Sequence, residues 1–395
     1  MRVLHVIPSV AWRYGGPSTA IWPMTGALRD QGIEVEIAAT DADGPDTCLT
    51  AADLPKDAVT VHLFRRDLGE SLKYSRGLRD WLAKQASDFD VIQVHSNWND
   101  PAFAVRRAAR NAGVPYIIRP CETLNVYTFQ KSKWKKRIYW WLRERNNVRY
   151  AAAFHVNTDK ERDEVLLLGV TAPVEIIPLG IGNDAFETPV EPNSLREQCP
   201  RAENRPILLF LSRLDPKKGI TQFLLPALAQ MRTDAFLAIV GGADDNAPDF
   251  VRHIESEVGR LGLAQKVALL GPVPPQRRWA AFDGAELFVL PSLDENFSFV
   301  AAEAMARGKP VIVTPGVEFG RYVEAAKAGA VVRADVNQLA ECLDQWLSDP
   351  LRRAVAGKAG RQYIQDHFTW RQTAERLIDL YRRVIRRDAR RDTVE

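Results

Sequence analysis

The sequence predicts an α/β protein with two doubly wound parallel sheets in tandem. Three observations lead there. Short apolar runs alternate with longer helical patterns through residues 1–182; an aperiodic stretch rich in Pro, Asn and Glu follows; then a second alternating series runs over 206–368. Strand and helix in strict alternation imply parallel strands with helices on both faces of the sheet. A chain of 395 residues also exceeds one ordinary core at roughly 100–200 residues per domain, so two domains are expected.

The first series opens with "VLHVI", a glycine-containing loop, a helix near Ser18 to Asp30 and the strand "EVEIAAT". It continues through "DVIQVHS" (Asp90 to Ser96), a helix near Phe103 to Ala112 closed by Gly113, and "PYIIRP", and ends near "VEIIPLGI" (Val174 to Ile181). Residues 183–205 read as a linker. The second series is "ILLFLS", a helix near Thr221 to Met231, "AFLAIVGG", a helix ending near Leu261, "KVALLG", a further helix, "ELFVLPS" and "PVIVTP". Over 369–395, Trp370, Ala374, Leu377, Ile378, Tyr381, Val384 and Ile385 recur at helical spacing and predict an amphipathic helix.

Composition narrows the function. A net charge of +3 gives no ground for a nucleic-acid partner. The apolar fraction of 46% is ordinary, and runs such as "ILLFL" are far shorter than the roughly 20 residues of a membrane helix. Cys48, Cys121, Cys199 and Cys342 form neither a metal spacing nor a disulfide framework, which favours a reducing cytoplasm.

Ligands of open α/β sheets bind outside the carboxyl ends of strands, so the loops there carry the candidates. In "SLDENFSFVAAEAMARGKPVIVTP", Glu295 falls in the loop after a strand and Glu303 inside the following helix. The helix start near Asn296, Phe297 and Ser298 offers free N–H groups and partial positive charge, which suits a diphosphate. Glu303 would then accept from paired ribose hydroxyls and Glu295 from a sugar hydroxyl, one acid at each end of a nucleotide sugar. The plainer alternative is a solvated loop acid and a helix-dipole carboxylate. "SRLDPKKG" brings Arg213, a fork of donors, and Lys218, a mobile point charge, a pair suited to a diphosphate leaving group. Its plainer reading is a solvated basic turn. Gly15 and Gly16 in "RYGGPSTA" permit close backbone approach to a ligand, or simply form a tight turn. His95 ends "DVIQVH" at the same kind of edge, where a structural histidine is the alternative.

Together these loops resemble the retaining glycosyltransferases of family 4 (group 1), which have the two-Rossmann GT-B fold with domains facing a cleft. "SRLDPKKG" resembles the family's Arg and Lys loop, and Glu295 and Glu303, seven residues between, its paired-glutamate signature. "DVIQVHS", "GGPSTA" and "FTWRQTAERLIDLY" resemble the strand with the active-site His, the glycine loop and the crossover helix back to the first domain. The resemblance implies donor diphosphate on Arg213 and Lys218, ribose on Glu303, donor sugar on Glu295 with the backbone of 296–298, His95 beside that sugar, and the nucleobase on the backbone of Val273. It implies no metal and no other cofactor. Gln93 stands where many relatives have a first His, Ser298 replaces a common Gly, and Glu122 stands where Gly is often found; Glu122 reads equally as an acceptor contact or a surface acid.

Residues 131–149, "KSKWKKRIYWWLRERNNVR", put Trp134, Ile138, Trp141 and Leu142 on one helical face, a pattern suited to an anionic bilayer or a lipid diphosphate, or to packing on the sheet. The expected activity is retaining, metal-independent transfer of a sugar from a UDP- or GDP-sugar to a glycan or lipid-linked acceptor in polysaccharide biosynthesis. The expected place is the cytoplasm, free or at the membrane's cytoplasmic face. A nucleotide-sugar epimerase and a catalytically silent nucleotide-sugar-binding subunit are the competing readings.

Overall fold

The computed structural model describes residues 1–57, 59–121, 123–124, 139–244, 247–274 and 277–392. The chain divides into two compact units, residues 1–180 with 370–395, and residues 181–369.

Among the described residues, the first unit holds a parallel sheet of β1 (Arg2–Ser9), β2 (Glu34–Thr40), β3 (Thr60–Phe64), β4 (Val91–His95), β5 (Tyr116–Arg119), β6 (Ala153–Val156) and β7 (Val174–Ile176), in the order β3-β2-β1-β4-β5-β6-β7. The order reverses between β1 and β4, so their carboxyl ends open a crevice at the edge where ligands bind in such sheets. The helix Gly16–Asp30 starts two residues before the expected Ser18. The helix Asp100–Ala112 starts three residues before Phe103, because Asn99 caps it by accepting from Ala102 N. It ends, as the sequence suggested, on a left-handed Gly113. The terminal helix Trp370–Asp392 belongs to this unit and buries Ala374, Leu377, Ile378, Tyr381 and Val384 on one side.

The second unit's sheet, among the described residues, comprises β8 (Ile207–Leu211), β9 (Phe236–Val240), β10 (Val267–Gly271), β11 (Leu287–Leu290), β12 (Val311–Val313) and β13 (Gly329–Val331), ordered β10-β9-β8-β11-β12-β13. Here the reversal lies between β8 and β11. The continuous apolar runs of β8, β9 and β11 are buried along almost their whole length, as strands covered on both faces must be.

Residues 183–205 are not an extended linker. They join the second unit as the short helices Asp184–Glu187 and Ser194–Gln198 and a turn at Pro200–Ala202. Ala185, Leu195, Cys199 and Ala202 are buried there, while Val190 is exposed. Helices this short show no periodicity, which is why the sequence concealed them.

Candidate functional site

The site of the second unit is built at its sheet reversal. The loop after β8 carries Arg213 and Lys218; the loop after β11 carries Glu295, Asn296, Phe297 and Ser298. Backbone and side chain stitch the two loops together. Leu293 N donates to Lys217 O at 2.8 Å, and Ser292 Oγ donates to the same carbonyl at 3.1 Å. Gly219 sits at φ 74°, and a Cβ there would lie 2.2 Å from Pro291 O, so only glycine lets the loops close.

Lys218 and Glu295, expected to hold the diphosphate and the sugar of a donor, are ion-paired with each other. Both are well shielded, with side-chain exposures of 6% and 15%. Ser292 lies 3.1 Å from the same Glu295 oxygen, and Glu295 N donates to Gly316 O at 2.8 Å, which fixes the acid from both sides. Arg213 is mostly exposed and pairs with the buried Asp244. Asp215 accepts from Lys217 N at 2.8 Å, shaping the basic turn.

Ser298 begins the helix Phe299–Ala306 in the left-handed region, φ 57°. That conformation is one glycine adopts without the steric cost a serine carries. Its Oγ is buried with no hydrogen-bond partner. The side chain of Phe297 turns away from any ligand into a ring cluster with Phe299, Phe319 and Phe368, leaving its backbone for the site.

Glu303 is buried in the same helix, and burial pushes its carboxyl up to about 7. Arg278 stands 3.3 Å from it and acts in the opposite sense. Val273, in the loop after β10, lines a pocket of about 640 Å³ with Glu191, Pro272, Arg277 and Trp279.

In the first unit, Gly15 has φ 80° and precedes the helix at Gly16; neither glycine is crowded. The crevice between the ends of β1 and β4 is a pocket of about 440 Å³ lined by Tyr14, Ser18, Glu70, Lys73, Asn97 and Trp98, among others. His95 does not face it. Its imidazole is fully buried, with Nε2 2.9 Å from His5 Nδ1 and Nδ1 3.3 Å from Arg119 Nη1. The strand end is where the sequence placed it, and its ring packs among polar side chains of the sheet. Glu122 lies outside the described residues.

Sequence reasoning missed Asp244, Ser292 and Arg278, which touch the expected residues only through folding. Among the described residues no group of three or more His, Cys, Asp or Glu side chains is arranged to hold a metal ion.

Comparison with known proteins agrees with this arrangement. Residues 193–363 match the family described as "Glycosyl transferases group 1", and residues 15–180 match "Glycosyl transferase 4-like domain". A "D-inositol 3-phosphate glycosyltransferase" of Stackebrandtia nassauensis is 28% identical over 95% of this chain and 88% of its own. A "GDP-mannose-dependent alpha-(1-6)-phosphatidylinositol monomannoside mannosyltransferase" of Mycolicibacterium smegmatis is 30% identical over 54% of this chain and 57% of its own. Among solved structures, Anabaena Alr3699/HepE in complex with UDP and glucose superposes with TM-score 0.77 at 21% identity, covering 96% of this chain and 99% of that one. Two doubly wound parallel units, superposing on such a structure over nearly their whole length, define the GT-B fold. The chain belongs to the group 1 glycosyltransferases of family 4.

Proposed function

We propose that the protein is a retaining hexosyltransferase that moves a sugar from a UDP- or GDP-sugar to a glycan or lipid-linked saccharide in polysaccharide biosynthesis. The observation that carries this reading is the Lys218–Glu295 pair held beside the helix start at Ser298. In this structure the two charges satisfy each other. A donor would separate them: its diphosphate takes Lys218 and Arg213, and its sugar hydroxyls take Glu295. Arg213 and Lys218 can neutralise the departing diphosphate, so the reaction is proposed to need no metal or other cofactor. The acceptor hydroxyl is deprotonated by that leaving group on the same face, which retains configuration and makes orientation the main task of the protein. Relatives named for GDP-mannose and for inositol phosphate support a nucleotide-sugar donor and a phosphorylated or lipid-linked polyol acceptor. The pocket of Tyr14, Lys73, Asn97 and Trp98 is the proposed acceptor side.

Work at the cytoplasmic membrane face is part of the proposal. Among the described residues no helix is long and apolar enough to cross a membrane. Trp141 and Leu142 are 70% and 60% exposed next to Arg143, as in a surface-seated segment; Trp134 and Ile138 lie outside the described residues. A panel of UDP-, GDP- and ADP-sugars scored for slow donor hydrolysis and thermal stabilisation tests the reading. Turnover of one donor with retained anomeric configuration is the expected result, and binding without turnover would replace it with the silent subunit.

A further inference from the structure

Glu303 is buried, and charged side chains from two other helices, Arg278 and Asp184, act on it. Arg278, from the helix Arg278–Asp283, places Nη1 3.3 Å from Glu303 Oε1. The other side of the same guanidinium faces Asp184, with Nη2 3.8 Å from Oδ2. Asp184 is itself held by Trp279 Nε1 at 3.1 Å, and Arg278 lies over the Trp279 ring at 4.4 Å. A Cβ at Gly182 would stand 2.3 Å from Asp184 Oδ1, so glycine there leaves room for the acid. Arg278 Nε is buried and has no hydrogen-bond partner.

The remaining charges around the helix Phe299–Ala306 are engaged elsewhere. Asp283 pairs with Arg307, and Arg361 donates to the carbonyls of Ala306 and Phe186. Among the described residues Arg278 is thus the cation in contact with Glu303, and Asp184 and Trp279 hold its other side.

We infer that Arg278 is a positioning residue for nucleotide binding: its guanidinium, in contact with the Glu303 carboxylate, aims that acid so that it can accept from both hydroxyls of the donor ribose. The inference rests on the ribose assignment of Glu303 proposed above. A protonated carboxyl would offer one of its oxygens as a donor and lose one of the two acceptor bonds. Burial favours that protonated form, Arg278 opposes it, and the nearby Asp184 carboxylate adds to the effect of burial. With the guanidinium removed, burial acts unopposed and ionisation shifts to higher pH.

The test uses the full-length enzyme and whichever of UDP, GDP or ADP binds it most tightly, compared by calorimetry with the 2′-deoxy form of the same nucleotide from pH 6 to 9. In the wild type the ribose preference rises with pH through a midpoint near 7, where burial places Glu303. In Arg278→Gln the midpoint moves up by about one pH unit, so that the preference at pH 7 falls several-fold and recovers at pH 9. Arg278→Lys keeps the wild-type profile, which a merely structural role would not require, and it serves if the Gln variant folds poorly. Preference lost equally at every pH in Arg278→Gln, or unchanged at every pH, overturns the inference. Equal binding of ribose and deoxyribose forms by the wild type would instead defeat the ribose assignment of Glu303.

Discussion

His5 Nδ1 lies 2.9 Å from His95 Nε2, with the two rings stacked at 5.1 Å. Their tautomers are set from outside the pair. Arg119 is buried and can only donate, so His95 Nδ1 must accept, its proton must sit on Nε2, and His5 Nδ1 must accept in turn. His5 Nε2 then donates toward Tyr381 Oη at 3.4 Å, and Tyr381 donates to Gln93 Oε1 at 2.6 Å. Gln93 Nε2 donates to His155 Nδ1 at 3.2 Å, and His155 Nε2 to Ile177 O at 2.9 Å. One directed chain runs from β5 across β4 and β1 to the terminal helix, then back through β4 to β6. Every histidine in it is neutral.

Acid should therefore unfold the first unit by breaking this chain. Burial holds His5 and His155 down to about 3, and His95 well below its ordinary value. An unfolded chain protonates these rings near 6.5, so between there and 3 the unfolded state binds more protons. Stability is complete above about pH 6.5 and falls as pH is lowered, by up to about 1.4 kcal/mol per histidine for each pH unit. Glu303, raised to about 7, works in the opposite sense between about 4.5 and 7, so a difference measurement is needed. Urea unfolding of His155→Gln and wild type at pH 5 and 7.5 isolates one ring: the variant should lose about one proton's worth of the slope.

Tyr381→Phe should destabilise the protein by about 1–3 kcal/mol at neutral pH, because Gln93 Oε1 is left buried without its donor. The phenyl ring fills the same space, so the loss belongs to the hydrogen bond. Urea midpoints at pH 7.5 measure it. A shift under about 0.3 kcal/mol would mean that water or a rotated Gln93 replaces the hydroxyl.

The alternation of strand and helix was legible because continuous apolar runs such as "ILLFL" can only be strands covered on both faces. Glu295 and Glu303 stand out in the sequence because their elements are contiguous, one strand, its loop and the next helix, and Lys218 stands out by the same pattern in the loop after β8, but the contact between Lys218 and Glu295 spans 77 residues and no local pattern reports it. His95 was placed on the correct strand end, but the direction of its ring depends on Arg119 and on Tyr381, which is 286 residues later in the chain. No local pattern reports such a partner. Arg278 escaped for the same reason, since the acid that orients it, Asp184, sits in a helix of four residues.

Ser298→Gly should stabilise the second unit and weaken donor binding. A serine at φ 57° costs about 1 kcal/mol that glycine does not, and its unpartnered Oγ adds to the cost. The expected rise in midpoint is roughly 2–4 °C by differential scanning calorimetry. If the free hydroxyl serves the donor, KM for the donor rises roughly three- to tenfold while kcat changes little. An unchanged KM would leave only the strain.

Lys218 and Glu295 separate stability from chemistry in one double-mutant cycle. Each shields the other in a site with little water, so Lys218→Ala leaves a carboxylate without its cation and Glu295→Ala leaves an ammonium without its acid. Each single variant should lose on the order of 3 kcal/mol. The double variant removes both charges and should recover most of that loss, to within about 1 kcal/mol of wild type. Transfer behaves differently. Under the proposed function Lys218 serves the leaving diphosphate and Glu295 the sugar, so all three variants should fall by at least about 100-fold in kcat/KM, with no recovery in the double variant. Thermal unfolding and product formation on the same three preparations give both readings. Recovered activity in the double variant would mean that the pair serves only to hold the two loops together.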